Sequence, residues 1–159
     1  MSVKMKKTTK NEIAEPMVAY VPAVTSFYSL LGGNKFASDF DIINMARQGF
    51  PKHTLLLLAK KISLTLQELA DILHISERTL QRYADNAVIK KEYAEKAVEL
   101  ARLYTRGEEV FGSMEKFKLW MKNPNYVFKG ETPVSLLDTS AGFDVVFKEL
   151  GRIEHGIFA

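Results

Sequence analysis

The sequence contains no cysteine, and this absence excludes several kinds of chemistry. Without thiolates the chain cannot hold a cysteine-ligated zinc site or an iron–sulfur cluster, form a disulfide, or supply a cysteine nucleophile. A chain of 159 residues, 47% of them hydrophobic, is long enough to bury a core without such a staple. The composition therefore indicates an ordinary globular protein of one or two small domains.

Long apolar runs are missing as well. The run at residues 55–59 is far shorter than the roughly 20 residues that a bilayer span requires. The Lys-rich first residues are not followed by an apolar segment of the kind found in signal peptides. We expect a cytoplasmic protein without a membrane segment, whose residues 1–24 form a flexible basic tail.

The usual signatures of catalysis are also absent. The sequence has no glycine-rich phosphate loop, no pair of histidines at metal-binding spacing and no nucleophile elbow. His53, His74 and His155 are isolated from one another along the chain. We therefore predict a protein that is not an enzyme and that carries no catalytic residue, metal site or cofactor.

The charge is small in total but unevenly distributed. The net charge is +3. Residues 1–10 carry +4, residues 11–49 carry −2, residues 50–106 carry +3 and residues 107–159 carry −2. The basic excess therefore lies in the tail and in a middle segment, while the last third is slightly acidic.

Start and stop signals recur at helical spacing, whereas the alternation typical of strands is hard to find, so the sequence predicts an all-α fold. Ser38 is the expected N-cap of a helix with Phe40, Ile43 and Ala46 on its buried face. Pro51 is expected at the first position of the next helix. A long amphipathic helix is predicted around residues 94–104.

The last third shows the same pattern of caps and breaks. Ser113 is expected to cap a helix whose apolar side includes Trp120 in the core, and Thr132 with Pro133 should open a shorter one. Gly142 is expected to break a helix. Gly156 is the expected stop of the last one.

Residues 66–83 predict a helix-turn-helix. A steep crossing through a short turn requires a small residue at the approach, which Ala70 supplies, and a cap after the turn, which Ser76 supplies. The expected buried positions are Leu69, Leu73, Ile75, Leu80 and Tyr83. His74 occupies the turn position that often has positive φ, where glycine is more common.

With those positions buried, the polar residues at the start of the second helix share an exposed face. This is the end that a helix-turn-helix inserts into the major groove, where Arg and Gln can pair with guanine and adenine edges. Thr79, Lys90 and Lys91 are expected phosphate contacts. The predicted DNA-binding residues are Ser76, Glu77, Arg78, Thr79, Gln81 and Arg82.

An ordered series of motifs in the last third is more specific. It runs EVFGS at 109–113, WMKNPN at 120–125, GETP at 130–133, LLDT at 136–139 with Gly142, and RIEHG at 152–156. Upstream stand RQGFP at 47–51, LTLQELA at 64–70 and RTL at 78–80. Together they resemble the Xre/MbcA/ParS-type antitoxins of RES-Xre toxin–antitoxin systems, over roughly residues 25–159.

The resemblance implies an antitoxin that dimerises, neutralises a RES-domain toxin that degrades NAD⁺, and represses its own operon. It implies a helix-turn-helix DNA-binding and dimerisation region at 25–106 and a toxin-binding domain at 107–159 whose end covers the toxin's active site. The expected toxin-binding residues are Arg152, Glu154, His155, Gly156, Ile157 and Phe158. Composition alone leaves two interpretations open for Ile157 and Phe158. They are apolar anchors that enter a cleft of the partner, or they fold back onto the chain's own core or fray.

A second hypothesis stays open on the sequence alone. The protein could be a stand-alone helix-turn-helix transcriptional regulator whose C-terminal domain serves only to oligomerise. An adjacent reading frame resembling a RES toxin would favour the antitoxin. The surface that dimerises is not defined by the sequence, and the helix at 94–104 and the C-terminal domain are both candidates.

Overall fold

Helices form the regular elements of the computed structural model, which describes residue 31 and residues 38–156. An antiparallel bridge joins Pro51 to Val88. The all-α prediction is confirmed. The α-helices are α1 (Asp39–Gln48), α2 (Lys52–Lys61), α3 (Leu66–Leu73), α4 (Glu77–Arg82), α5 (Lys91–Phe111), α6 (Met114–Lys122) and α7 (Ser140–Glu154), and the 3-10 helices are η1 (Tyr126–Phe128) and η2 (Pro133–Asp138).

Side-chain hydroxyls open six of these helices. In each case the hydroxyl of the N-cap residue accepts a hydrogen bond from the backbone N–H three residues further on, which satisfies one of the unpaired donors of the first turn. These caps are Ser38, Thr65, Ser76, Ser113, Thr132 and Thr139. Pro51 is the N-cap residue of α2. The sequence predicted it one position further on, as the first residue of the helix.

The buried face of α1 differs from the predicted one. Phe40 is 76% exposed and Ile43 is 43% exposed, while Ile42, Met45 and Ala46 pack on the core. The residues at 42, 45 and 46 follow the three- and four-residue spacing of one helical face, and they turn toward α5, on which α1 packs. Of the predicted face, only Ala46 points inward.

The central helix is α5, on which α1, α3, α6 and α7 all pack. Its stripe of small residues, Ala94, Ala97 and Ala101, is fully buried together with Tyr104, so the neighbouring helices approach closely. The helix at 94–104 was one of two candidate dimer surfaces on the sequence alone, and the chain's own core covers its alanine stripe. Dimerisation through this helix stays a prediction.

An aromatic cluster joins α5 to the helices that follow it. The ring of Phe117 lies 5.1 Å from that of Tyr104 and 5.8 Å from that of Trp120, centroid to centroid. Trp120 also contacts Phe128 at 5.9 Å and is only partly buried, so it closes the edge of this core. Gly107 makes room for the cluster, since a Cβ there would lie 2.3 Å from the Phe117 ring.

Gly142 does not break a helix, as the sequence suggested, but lies in the first turn of α7. Its backbone packs directly on the end of η2, where an added Cβ would lie 1.7 Å from the carbonyl oxygen of Leu136. Its N–H donates to the Thr139 hydroxyl at 3.0 Å. The glycine is therefore required by the close approach of two elements rather than by a chain reversal.

Candidate functional site

The turn between α3 and α4 has the geometry predicted for a helix-turn-helix. His74 ends α3 in the left-handed conformation (φ 55°, ψ 41°), and Ala70 is fully buried at the crossing. The hydroxyl of Ser76 accepts a hydrogen bond from the N–H of Thr79 at 3.0 Å. The expectations for His74, Ala70 and Ser76 are therefore confirmed as local structure.

Helix α4 presents the predicted DNA-binding residues to the outside. Leu80 is 1% exposed and anchors the helix in the core. Leu69 and Leu73 are buried as expected, whereas Ile75 and Tyr83 are only partly buried. The exposed residues of the predicted set are Ser76, Arg78, Thr79, Gln81 and Arg82, and Glu77 is partly exposed.

The residues predicted to contact phosphate differ in the partners that their side chains already have. Lys90 and Lys91 lie exposed at the start of α5, and Lys91 is 3.5 Å from Glu95. The Thr79 hydroxyl is already hydrogen bonded to Ser76 at 2.8 Å. Any contact between Thr79 and a phosphate would therefore involve a hydroxyl that is already bonded to the cap residue Ser76.

Sequence reasoning missed the side chain that holds the other end of α4. Lys52 comes from α2 and is 7% exposed. Its Nζ donates hydrogen bonds to the carbonyl oxygens of Tyr83 at 2.8 Å and Gln81 at 3.3 Å, and lies 3.6 Å from Asp85. No periodic pattern marks such a residue, because its partners are about thirty positions away and are backbone atoms.

A second side chain that the sequence did not point to is Glu68 in α3. It completes a capping box with Thr65 and accepts hydrogen bonds from Lys122 of α6. Burial on its own would raise the pKa of Glu68, but the Lys122 and Thr65 hydrogen bonds and the Lys122 charge outweigh burial, so the pKa is lowered. The carboxylate thus stays charged and ties α3 to α6.

A cleft of about 640 Å³ separates the turn from the C-terminal region. The α3 and turn side contributes Asp71, His74 and Ser76, and the η2 side contributes Thr132 and Asp138. Ser76, one of the predicted DNA-binding residues, therefore shares a cleft with residues of the last third.

The predicted toxin-binding residues gather at the end of α7. Arg152 lies 3.6 Å from Glu149, and Glu154 pairs with Arg106 of α5, which also bonds Glu109 at 3.2 Å. His155 and Gly156 are exposed, and Gly156 has positive φ just past the helix end. Ile157 and Phe158 lie outside the described residues.

Within residue 31 and residues 38–156, no group of three or more His, Cys, Asp or Glu side chains is placed to hold a metal ion. None of the helices in these residues combines the length and the apolar character that crossing a bilayer requires.

Comparison with known families accounts for both halves of the molecule. The antitoxin Xre/MbcA/ParS C-terminal toxin-binding domain matches residues 106–156, and the antitoxin Xre-like helix-turn-helix domain matches residues 41–102. An Antitoxin Xre of Pseudomonas putida is 30% identical over 129 residues, which cover 80% of this chain and 80% of the relative. The chain belongs to the Xre/MbcA/ParS family of antitoxins.

Other relatives agree with this assignment. The Prs ADP-ribosylating antitoxin of a Sphingobium species is 26% identical over 77% of this chain and 84% of its own length. The crystal structure of the M. tuberculosis MbcT-MbcA toxin-antitoxin complex contains a chain with the same fold, at 21% identity and a TM-score of 0.50, covering 68% of this chain and 96% of that one. The family resemblance is confirmed, and the protein is an antitoxin that acts by binding a toxin rather than by catalysis.

Proposed function

We propose that this antitoxin neutralises a RES-domain toxin that degrades NAD⁺, by covering the toxin's active site with residues near the end of its C-terminal domain. The observation that carries the proposal is the match of residues 106–156 to a toxin-binding domain. Arg152 and Glu154 lie on the last turn of α7, and His155 follows as its C-cap residue. Charged groups there can orient the complex, and Ile157 and Phe158 are the proposed apolar anchors.

The contacts of Arg106 support this assignment. Arg106 pairs with Glu154, so the last turn of α7 is tied to the central helix α5 before any partner binds. A surface that is already ordered loses less conformational entropy on association. The end of α7 is therefore suited to present the residues that follow it.

The second part of the proposal is that the helix-turn-helix binds operator DNA and represses the antitoxin's own operon. Its support is the exposed face of α4, where Arg78, Gln81 and Arg82 are free of the core while Leu80 fixes the helix. These are side chains that can pair with base edges. A dimer would place two such helices about 34–36 Å apart, or a multiple of that distance, on DNA.

Co-expression with the adjacent reading frame tests the first part. The full chain should restore growth and cellular NAD⁺, and a chain lacking residues 156–159 should restore them less well. If the shortened chain rescues fully and binds the toxin as tightly, these residues do not form the inhibitory element. If the adjacent product is not toxic, the RES assignment is wrong.

Operator binding tests the second part. Arg78→Ala combined with Arg82→Ala should abolish the preference for the protein's own promoter over unrelated DNA at fixed salt, and leave toxin neutralisation intact. Lys116→Ala with Lys148→Ala removes the same charge from exposed positions in α6 and α7 and serves as the control. Equal loss of preference in both double variants would argue against base reading by α4.

A further inference from the structure

A buried lysine holds the C-terminal end of the helix proposed to read DNA. Lys52 belongs to α2, yet its ammonium group donates to the carbonyl oxygens of Gln81 and Tyr83, at 3.3 and 2.8 Å. The residue is 7% exposed, and the Asp85 carboxylate 3.6 Å away is the ion-pair partner. A buried ammonium group needs partners of this kind, and here it finds them at the end of α4.

Helix α4 depends on such help because it is short. It has six residues, whereas isolated helices below about 12–15 residues are marginal in water. The last carbonyls of any helix lack partners within the helix, and Tyr83 leaves α4 in an extended conformation (φ −62°, ψ 132°) rather than the left-handed one of the common glycine caps. A cation placed there satisfies carbonyls and suits the negative end of the helix dipole.

The surrounding backbone fixes Lys52 relative to the chain that leaves α4. The N–H of Lys52 donates to the carbonyl of Ala87 at 2.9 Å, and that of His53 donates to the carbonyl of Asp85 at 2.9 Å. The N–H of Ile89 donates a hydrogen bond to the carbonyl oxygen of Phe50 at 3.1 Å. These backbone hydrogen bonds therefore hold the start of α2 beside the segment that follows α4, and Lys52 reaches the end of α4 from there.

We propose that Lys52 is a positioning residue for DNA reading: it sets the orientation of Gln81 and Arg82 by holding the last turn of α4 through its carbonyl oxygens. The proposal rests on the proposed DNA-binding function. Because the ammonium group is buried and points at protein carbonyls, Lys52 does not itself contact phosphate. Its loss should therefore weaken sequence preference without changing the electrostatic part of binding.

Binding of the full-length protein to a duplex of its own promoter and to a shuffled duplex, measured over a range of salt, tests this. Lys52→Met should reduce the preference for the promoter roughly tenfold, the scale on which one base contact discriminates. Affinity for the shuffled duplex and its salt dependence should stay as in the wild type. Lys52→Arg, which keeps the charge and the donors, should restore part of the preference.

Two controls separate the possible causes. Lys90→Met removes an exposed lysine at the start of α5 and, if Lys90 contacts phosphate, should lower the salt slope by about 0.9 without a selective loss of promoter binding. Asp85→Asn removes the ion-pair partner, which is 84% exposed, while leaving the carbonyl bonds, and should have little effect. An effect of Asp85→Asn as large as that of Lys52→Met would overturn the capping role.

The remaining outcomes are also decisive. Unchanged promoter preference in Lys52→Met, or an equal loss on both duplexes with a smaller salt slope, overturns the inference. If Lys52→Met fails to fold by circular dichroism, the ¹⁵N NMR signal of the wild-type Lys52 ammonium group decides: slow proton exchange supports the carbonyl bonds, and fast exchange like that of a surface lysine overturns them. A wild-type protein without promoter preference would instead refute DNA reading as a whole.

Discussion

Lys122 in α6 donates hydrogen bonds to both carboxylate oxygens of Glu68 in α3, and so joins the toxin-binding part of the antitoxin to its helix-turn-helix. The same carboxylate accepts the N–H of Thr65 at 2.8 Å and completes the cap of α3. The Glu68 side chain therefore serves a local cap and also a contact between two helices, with a residue 54 positions away in sequence. This pair makes stability depend on pH.

Replacing Lys122 by Met should lower the free energy of unfolding at neutral pH by about 1 kcal/mol, the upper end for partly exposed ion pairs. Since the pKa of Glu68 is held below its ordinary value of 4.5, the stabilisation is complete above that pH and is lost as pH falls through the lowered pKa. Urea unfolding of both proteins across this range should show the difference shrinking. Lys60→Met, at an exposed position of α2, is the control, and a difference that stays constant into strong acid would contradict the assignment.

Two glycines of α7 should respond to alanine with opposite signs. Gly142→Ala forces a Cβ onto the Leu136 carbonyl and should lower the free energy of unfolding by about 3 kcal/mol, the upper end for overpacked sites. A Cβ on Gly151 meets nothing within 4 Å, so Gly151→Ala should stabilise the helix by roughly 0.5–1 kcal/mol. Denaturant midpoints with unchanged slopes would measure both, and equal effects would show that helix propensity rather than the contact decides.

Much of the helix-turn-helix could be predicted because its determinants are local. The cap at Ser76 and the positive φ at His74 follow from residues within three or four positions, and the structure shows both. The motifs of the last third identified the family for the same reason, as short patterns in a fixed order. The finer site assignments on α4 and α7 remain predictions.

The features that could not be predicted from the sequence are decided by contacts between different elements of the fold. Lys52 and Lys122 look like ordinary solvated lysines until the fold places carbonyl oxygens or a carboxylate beside them. The prediction of the inward face of α1 was wrong because two faces of this helix carry apolar residues. Only the packing of α1 on α5 buries Ile42 and leaves Phe40 exposed. Gly142 was mistaken for a break because its close neighbour, Leu136, contacts it through the backbone.

The turn residue His74 should gain from becoming glycine. It is exposed and holds φ 55° and ψ 41°, a conformation that disfavours residues with a Cβ by roughly 1–2 kcal/mol. His74→Gly should raise the free energy of unfolding by about 0.5–1 kcal/mol after the added flexibility of the unfolded chain is subtracted. His74→Val, which is β-branched, should lower it, and thermal unfolding in which both variants shift the same way would contradict this account.

The hydroxyl of Tyr104 is buried and has no hydrogen-bond partner among the described residues. Burial, and then the charge of Glu68, raise the pKa of this phenol, so the folded state keeps it protonated. Tyr104→Phe should therefore raise the free energy of unfolding by about 1 kcal/mol, because an unpaired buried hydroxyl is destabilising. The advantage over the wild type should grow above the ordinary tyrosine pKa of 10.0, where only the unfolded wild-type chain ionises at this position. Urea unfolding at neutral and alkaline pH measures both effects, with Tyr126→Phe, at a side chain that is 95% exposed, as the neutral control. A destabilised Tyr104→Phe would mean that the hydroxyl has a partner after all.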